Sequence, residues 1–370
     1  EAGEWRRALG ACRDWLKTRE GSPMIHAICA EALRNLRDFS SAHNHLLRAI
    51  EKEPGELEFR YADILVSWEG RDWKALKKAL REAGALGGDG NIIRRFSILL
   101  EARTLGDEKK ILSLLQNAVR TLGPEPELMH ALGGAYLKLG FLEEARSWFQ
   151  KTIALKAGHE EAWLGEIAAQ EALAAQGAGG AAEELAGLYD RYLGIWPDNY
   201  SIRRDRALFL IRICEYAKAA EELERLLVWE PSNPSLRRVL AYAYRKTGRY
   251  REAAVFLKAL LKERPKNIEL LLEYSGCLER AGAASYAAMV LEKARELFKN
   301  ASDIVLALGI LSFRQKEIEK AFDYLREAAA LNRKDPRPYE WMALIARKNG
   351  DGGGGKDYEK EALRRKNKKI

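Results

Sequence analysis

The chain has 370 residues, of which 47% are hydrophobic and 31% charged, enough to bury a sizeable core and too apolar for a disordered segment. Its formal charge of +8 is modest for that length, and the acidic and basic side chains are interleaved, which describes solvated faces instead of a block of one sign. The longest apolar stretches, such as 304–311, fall far short of the ~20 residues of a bilayer span, so no membrane insertion is expected.

Ala, Leu, Glu, Arg and Lys dominate, there are only 10 prolines, and no segment alternates long enough for a sheet, so an all-α chain is predicted. The chain opens at Glu1 without an initiator Met or a signal-peptide pattern, and a preceding segment is expected. A cytoplasmic setting is favoured over a periplasmic one or a membrane tether through that preceding segment. Cys12, Cys29, Cys214 and Cys277 form no C-x-x-C pair and are expected to be core thiols in helices.

A fixed period organises the sequence. Pro231 and Pro265 stand 34 residues apart, and the segments before them superimpose without a gap. In chain order, residues 1–22 carry Trp5, Ala8, Cys12 and Trp15 and read as the second helix of a truncated unit. Four units follow over 23–159, at 23–56, 57–91, 92–125 and 126–159, the last showing Leu132, Gly133, Tyr136, Gly140, Leu142, Ala145 and Phe149. The run Gly84–Asn91 loosens the join between the second and third. The unit at 160–199 is six residues longer than the period, the surplus falling at 174–182, where Gln176–Gly180 predicts a flexible turn. Residues 200–335 hold four more regular units; the one from Pro234 gives Leu240, Ala241, Tyr244, Gly248, Tyr250, Ala253, Leu257 and Leu260, and the one from Ser302 gives Leu308, Gly309, Ile318, Ala321, Leu325 and Ala328. Residues 336–370 are a degenerate last unit with a basic tail. There Gly352–Gly355 replace the start of a second helix, and a loop or a linker is expected, because Gly costs about 1 kcal/mol per residue in a helix.

Small residues at phases 8 and 20 of this period, with large ones at 7, 11 and 24, make the chain resemble the tetratricopeptide repeat family. The physics agrees: each unit has two apolar helical stripes separated by a polar turn, and one hairpin cannot bury both of its faces, so neighbours must stack. The resemblance implies a right-handed α-solenoid, a superhelix of antiparallel helix hairpins with about ten full units after the N-terminal half unit.

In that family the first helices line a concave groove, with phases 2, 5, 9 and 12 or 13 pointing into it. Those phases share one helix face. The resemblance therefore places Tyr61, Leu65, Trp68, Phe96, Leu100 and Arg103 in an aromatic N-terminal part of the groove. Ser201, Arg204, Leu208, Ile211, Ser235, Arg238, Tyr242 and Arg245 fall in a basic middle part, and Leu272, Glu279, Leu306, Phe313, Glu340 and Arg347 follow. Arginines and aromatics dominate protein interfaces, and the middle patch is expected to take an acidic segment of a partner protein. The Lys and Asn set by which one branch of the family clamps a C-terminal carboxylate is missing.

No chemistry-bearing motif competes. Gly350–Lys356 spells a phosphate loop, but no strand precedes it and Asp357 stands where Ser or Thr would reach magnesium. His43 and His45 diverge on a helix and are expected to face solvent; no His, Cys or carboxylate cluster has metal-ligand spacing, and no nucleophile constellation appears. The expectation is a non-catalytic scaffold or adaptor without metal, cofactor or small-molecule substrate, working within a larger assembly. A nucleic-acid-binding solenoid and a regulatory subunit of an enzyme complex are the alternative readings.

Overall fold

The computed structural model describes residues 2–18 and 21–367, and among them every regular element is an α-helix. The architecture is an all-α solenoid of stacked hairpins. The chain divides into two compact units, residues 1–188 and 189–370. No helix among the described residues is long and apolar enough to cross a membrane.

The first unit contains α1 (Ala2–Thr18), α2 (Pro23–Asn35), α3 (Phe39–Lys52), α4 (Leu57–Glu69), α5 (Trp73–Ala85), α6 (Gly90–Thr104), α7 (Glu108–Leu122), α8 (Pro126–Lys138), α9 (Leu142–Leu155), α10 (Glu160–Ala175) and the start of α11 (Ala181–Ile195). The hairpins α2–α3, α4–α5, α6–α7 and α8–α9 pack internally, and each second helix also packs on the first helix of the next hairpin. First helices meet one another as well, α2 with α4, α6 with α8 and α8 with α10, so they share one face of the unit. Phe149 of α9 shows what small residues permit. A Cβ on Gly133 would lie 2.9 Å, and one on Gly165 2.5 Å, from its ring, which is sandwiched between α8 and α10. The α6 helix departs from this scheme. Leu99 and Ile111 occupy the phases that are Gly133 and Ala145 in the next hairpin, and α6 packs less extensively on α5 and α7 than α8 does on α9.

The second unit holds the rest of α11, then α12 (Tyr200–Arg212), α13 (Tyr216–Trp229), α14 (Pro234–Lys246), α15 (Tyr250–Glu263), α16 (Ile268–Arg280), α17 (Ala284–Leu297), α18 (Ser302–Arg314), α19 (Ile318–Leu331), α20 (Arg337–Lys348) and α21 (Gly352–Asn367). Ala207, Ala241, Ala253, Ala287 and Ala321 are fully buried at the hairpin contacts, surrounded by leucines. Asn199, Asn233 and Asn267, at 34-residue spacing, each accept a hydrogen bond from a backbone N–H of the following first helix, at 3.1, 2.9 and 3.0 Å. Between α12 and α13, Glu222 is 2% exposed and binds the guanidinium groups of Arg203 (2.6 Å), Arg206 (2.7 Å) and Arg225 (3.2 Å).

One turn recurs between first and second helices. Its residue has positive φ at Gly140 (81°), Gly248 (80°), Gly282 (86°) and Gly350 (83°), but also at Arg37 (61°), Arg71 (57°), Cys214 (63°) and Lys316 (66°). Each of these turns closes with a bond from the next residue's N–H to a carbonyl five residues back, for example Arg249 to Tyr244 (2.8 Å) and Glu317 to Ser312 (2.9 Å). The second helix can be aimed back only through this left-handed residue. Cys214 is therefore an exposed turn residue and not the core thiol expected, whereas Cys12, Cys29 and Cys277 are buried.

Two other local expectations change. The surplus of the 160–199 unit does not all form a loop: α10 runs 16 residues where the first helices of the second unit run 12 or 13, and only 176–180 remain as a turn. Gly352–Gly355 are helical, because Asp351 accepts the Gly354 N–H at 2.8 Å and the missing Cβ of Gly355 lets it approach the Arg347 side chain and the Ala343 carbonyl of α20.

Removing the buried Glu222 by Glu222→Ala strands Arg203 in the core, and the urea midpoint should fall by the equivalent of about 3–5 kcal/mol. At the turn, Lys316→Gly should raise stability by up to about 1 kcal/mol, since Gly takes the left-handed conformation without the Cβ clash. A midpoint lowered by that change would contradict the reading of the turn.

Candidate functional site

The side chains that the sequence assigns to the groove lie on first helices and differ widely in exposure. In the first unit, Phe96 is 0% exposed, which corrects the expectation that it contacts a partner: at phase 5 it turns inward under Trp68, their rings meeting edge-on at 5.7 Å. Tyr61 is half-buried and its hydroxyl accepts the Asp89 N–H, so it ties down the turn before α6. Leu65 and Leu100 are half-buried. Trp68 is half-buried and meets Trp73 edge-on at 5.6 Å, and the exposed Arg103 lays its guanidinium 4.1 Å over the Trp73 ring.

Trp68 and Arg103, from successive first helices, border one groove of about 360 Å³. Leu99, Ile111 and Leu115 form its floor, and Gly134 of α8 lines the far wall, where a Cβ would meet nothing within 4 Å. At the rim Lys138 stands 3.6 Å from Glu108. The groove opens where α6 and α7 meet through Leu99 and Ile111 instead of through Gly or Ala.

In the second unit Leu208 is 44% and Tyr242 38% exposed. Tyr242 packs edge-on against Tyr216 at 5.9 Å, with Lys246 Nζ 5.4 Å from its ring. The middle patch is not simply basic. Arg238 pairs with Glu269 at 2.9 Å and Arg245 with Glu273 at 3.1 Å, while Arg204 is exposed and its one ion pair among the described residues is with its neighbour Asp205 at 3.2 Å. The series continues with Arg314–Glu279 (2.7 Å), Arg347–Glu359 (2.6 Å) and Lys366–Glu340 (2.5 Å). Reading groove phases alone misses Glu273, which stands one residue off them and faces the arginine of the preceding unit. Leu306 is buried, contrary to expectation, because α18 is apolar on nearly all sides. Phe313 is half-buried against Trp341 (6.2 Å), with Lys348 Nζ 5.6 Å from its ring.

The histidines also differ from expectation. His43 does not face solvent: half-buried, its Nδ1 donates to buried Asp63 at 2.5 Å, which raises its pKa. His45 shares a 2.9 Å hydrogen bond with buried His26, and burial, reinforced by neighbouring cations including Arg48, lowers both. His130, on the wall of the groove, packs on the His159 ring at 4.9 Å; burial and that neighbour hold it down to about 4, and burial lowers His159 too. Among the described residues no group of three or more His, Cys, Asp or Glu is placed to hold a metal ion.

Residues 167–302 match the family model of the tetratricopeptide repeat. No curated protein sequence matches the chain. Among solved structures, a tetratricopeptide repeat protein from Parabacteroides merdae is 18% identical, covering 64% of this chain and 92% of its own, with a TM-score of 0.39. A thermophilic tetratricopeptide repeat protein from Thermus thermophilus is 24% identical over 48% of this chain and 94% of its own, at 0.31. Yeast Tom70 is 12% identical over 97% of this chain and 88% of its own, at 0.35.

Histidines held neutral by burial make stability depend on pH. The unfolded chain protonates them near about 6.5, the folded chain only lower, at about 4 for His130. Between those values the unfolded state binds more protons, so stability should fall as pH falls through that window. His43 opposes this, since its raised pKa contributes stability that is lost as pH rises through the folded value. With His26, His45, His130 and His159 on the other side, the thermal midpoint at pH 5 should lie below that at pH 7.5, and His130→Gln should shrink the difference. Equal midpoints at both pH values would contradict the assignment.

Proposed function

This chain is a tetratricopeptide repeat protein, and from that premise we propose that it is a non-catalytic scaffold whose first-helix faces hold segments of other proteins within a larger assembly. One observation carries the reading. The stacked hairpins bury their own apolar stripes, yet the first-helix faces leave large side chains at least partly open: half-buried Trp68 and exposed Arg103 in the first unit, exposed Leu208, Tyr242 and Arg204 in the second. Aromatic and arginine side chains combine contact area with directed hydrogen bonding, which is what protein interfaces concentrate.

The proposal gives the two faces different weights. An acidic partner segment on Arg204, Arg238 and Arg245 has to displace Glu269 and Glu273 from two of the three, so the exchange yields little net Coulomb energy and Arg204 is the most available anchor. The groove at Trp68 asks for no such exchange. The same pairing disfavours nucleic acid, whose phosphates need arginines free of carboxylates. Phe313, packed on Trp341, and Tyr61, tied to the turn, contribute shape at the edges.

A photo-crosslinking amino acid at position 103 or 208 tests the proposal in cells that make the full chain. Protein adducts should form from both positions, and few from position 258 on the exposed side of the second helix α15. Adducts only from 258, or adducts to RNA, would overturn it.

A further inference from the structure

The groove bordered by Trp68 and Arg103 has a chemistry more specific than a general apolar surface. Its floor is aliphatic, from Leu99, Ile111 and Leu115, and its volume of about 360 Å³ exceeds what one aliphatic side chain fills. Nothing of the chain reaches the space beside Gly134, where an added Cβ has no neighbour within 4 Å. Trp68 closes the opposite end, held edge-on between Trp73 and Phe96, so the wall is rigid before anything binds.

The rim carries an unbalanced charge. Lys138 stands 3.6 Å from Glu108, so each largely cancels the other. His130 is held neutral at pH 7 by burial and by His159. Arg103 remains: among the described residues no carboxylate lies within ion-pair distance of it, and its guanidinium carbon sits 4.1 Å from the centroid of the Trp73 ring, over its face. A guanidinium fixed by stacking loses little side-chain freedom when it pairs, and its edge matches a carboxylate bidentately. The ion-paired arginines of the second unit differ in this respect, since they already hold glutamates.

We infer that this groove receives a protein segment bearing two bulky apolar side chains beside an acidic residue, the apolar pair seated between Trp68 and Gly134 and the carboxylate on Arg103. The inference rests on the scaffold reading and names the partner chemistry of its first unit. An apolar pair without the acid leaves Arg103 unpaired, and an acid without the apolar pair leaves the floor wet. Recognition requires both.

The test selects peptides from a displayed random library on the full chain and measures their affinity by fluorescence anisotropy. Four variants are compared, Arg204→Glu in the second unit among them, each checked for unchanged far-UV dichroism. Gly134→Leu fills the groove from an open, helix-compatible position; Arg103→Glu reverses the rim; Lys258→Glu, on α15, is the control. Selected peptides should carry an apolar pair with Asp or Glu beside it, bind at least tenfold more weakly to Gly134→Leu and to Arg103→Glu, and bind Lys258→Glu as they bind the original chain. Peptides indifferent to Gly134→Leu and Arg103→Glu but weakened by Arg204→Glu would overturn the inference and leave the scaffold reading standing. Absence of any binding peptide would overturn both. Self-association of the chain that Gly134→Leu abolishes would give the groove to a second copy and also overturn the inference.

Discussion

How closely two helices of a hairpin can approach decides the rest of this structure. At the contact positions Gly133, Ala145, Ala241, Ala253, Gly309 and Ala321, the absence of a long side chain lets the facing Phe149 or leucines fill the gap at van der Waals distance. Each hairpin then presents an apolar side to the next, and the core forms as a succession of buried clusters along each unit. The left-handed turn residue makes the same approach possible in the backbone. Where Arg37, Arg71, Cys214 or Lys316 holds that place, the conformation persists because the hairpin packing on both sides requires it.

The same constraint, relaxed once, generates the candidate site. Leu99 and Ile111 are larger than the residues that normally separate the two helices, and α6 meets its neighbours less extensively. The space appears on the first-helix face as a groove with an aliphatic floor. Arg103 and Trp68 border it because they occupy the outward phases of adjacent first helices, and the aromatic stack of Trp68, Trp73 and Phe96 keeps the border in place.

The all-helical class and the solenoid architecture were legible in the sequence, because apolar stripes recur within one or two turns of helix and the whole unit recurs every 34 residues. Arg103, Arg204 and Leu208 were legible as exposed for the same reason. What the sequence concealed depends on contacts between units. Phe96 shares a phase with Arg204 and Arg238, yet it is buried, since Trp68 of the preceding unit covers it. Arg238 and Arg245 read as a basic patch until Glu269 and Glu273 of the following unit are brought alongside. Cys214 occurs in an apolar stretch, and only its place 34 residues before Gly248 marks it as a turn residue. The glycines at 352–355 oppose a helix by local propensity, but packing against α20 overrides it.

Hydrogen–deuterium exchange of the full chain, alone and saturated with a bound protein segment, addresses the central claim that binding occupies the first-helix face over the relaxed hairpin. Slower exchange in residues 90–104 and 126–138, with second helices such as 250–263 unchanged, is the predicted result. Protection confined to second helices, with α6 and α8 exchanging as in the free chain, would contradict it.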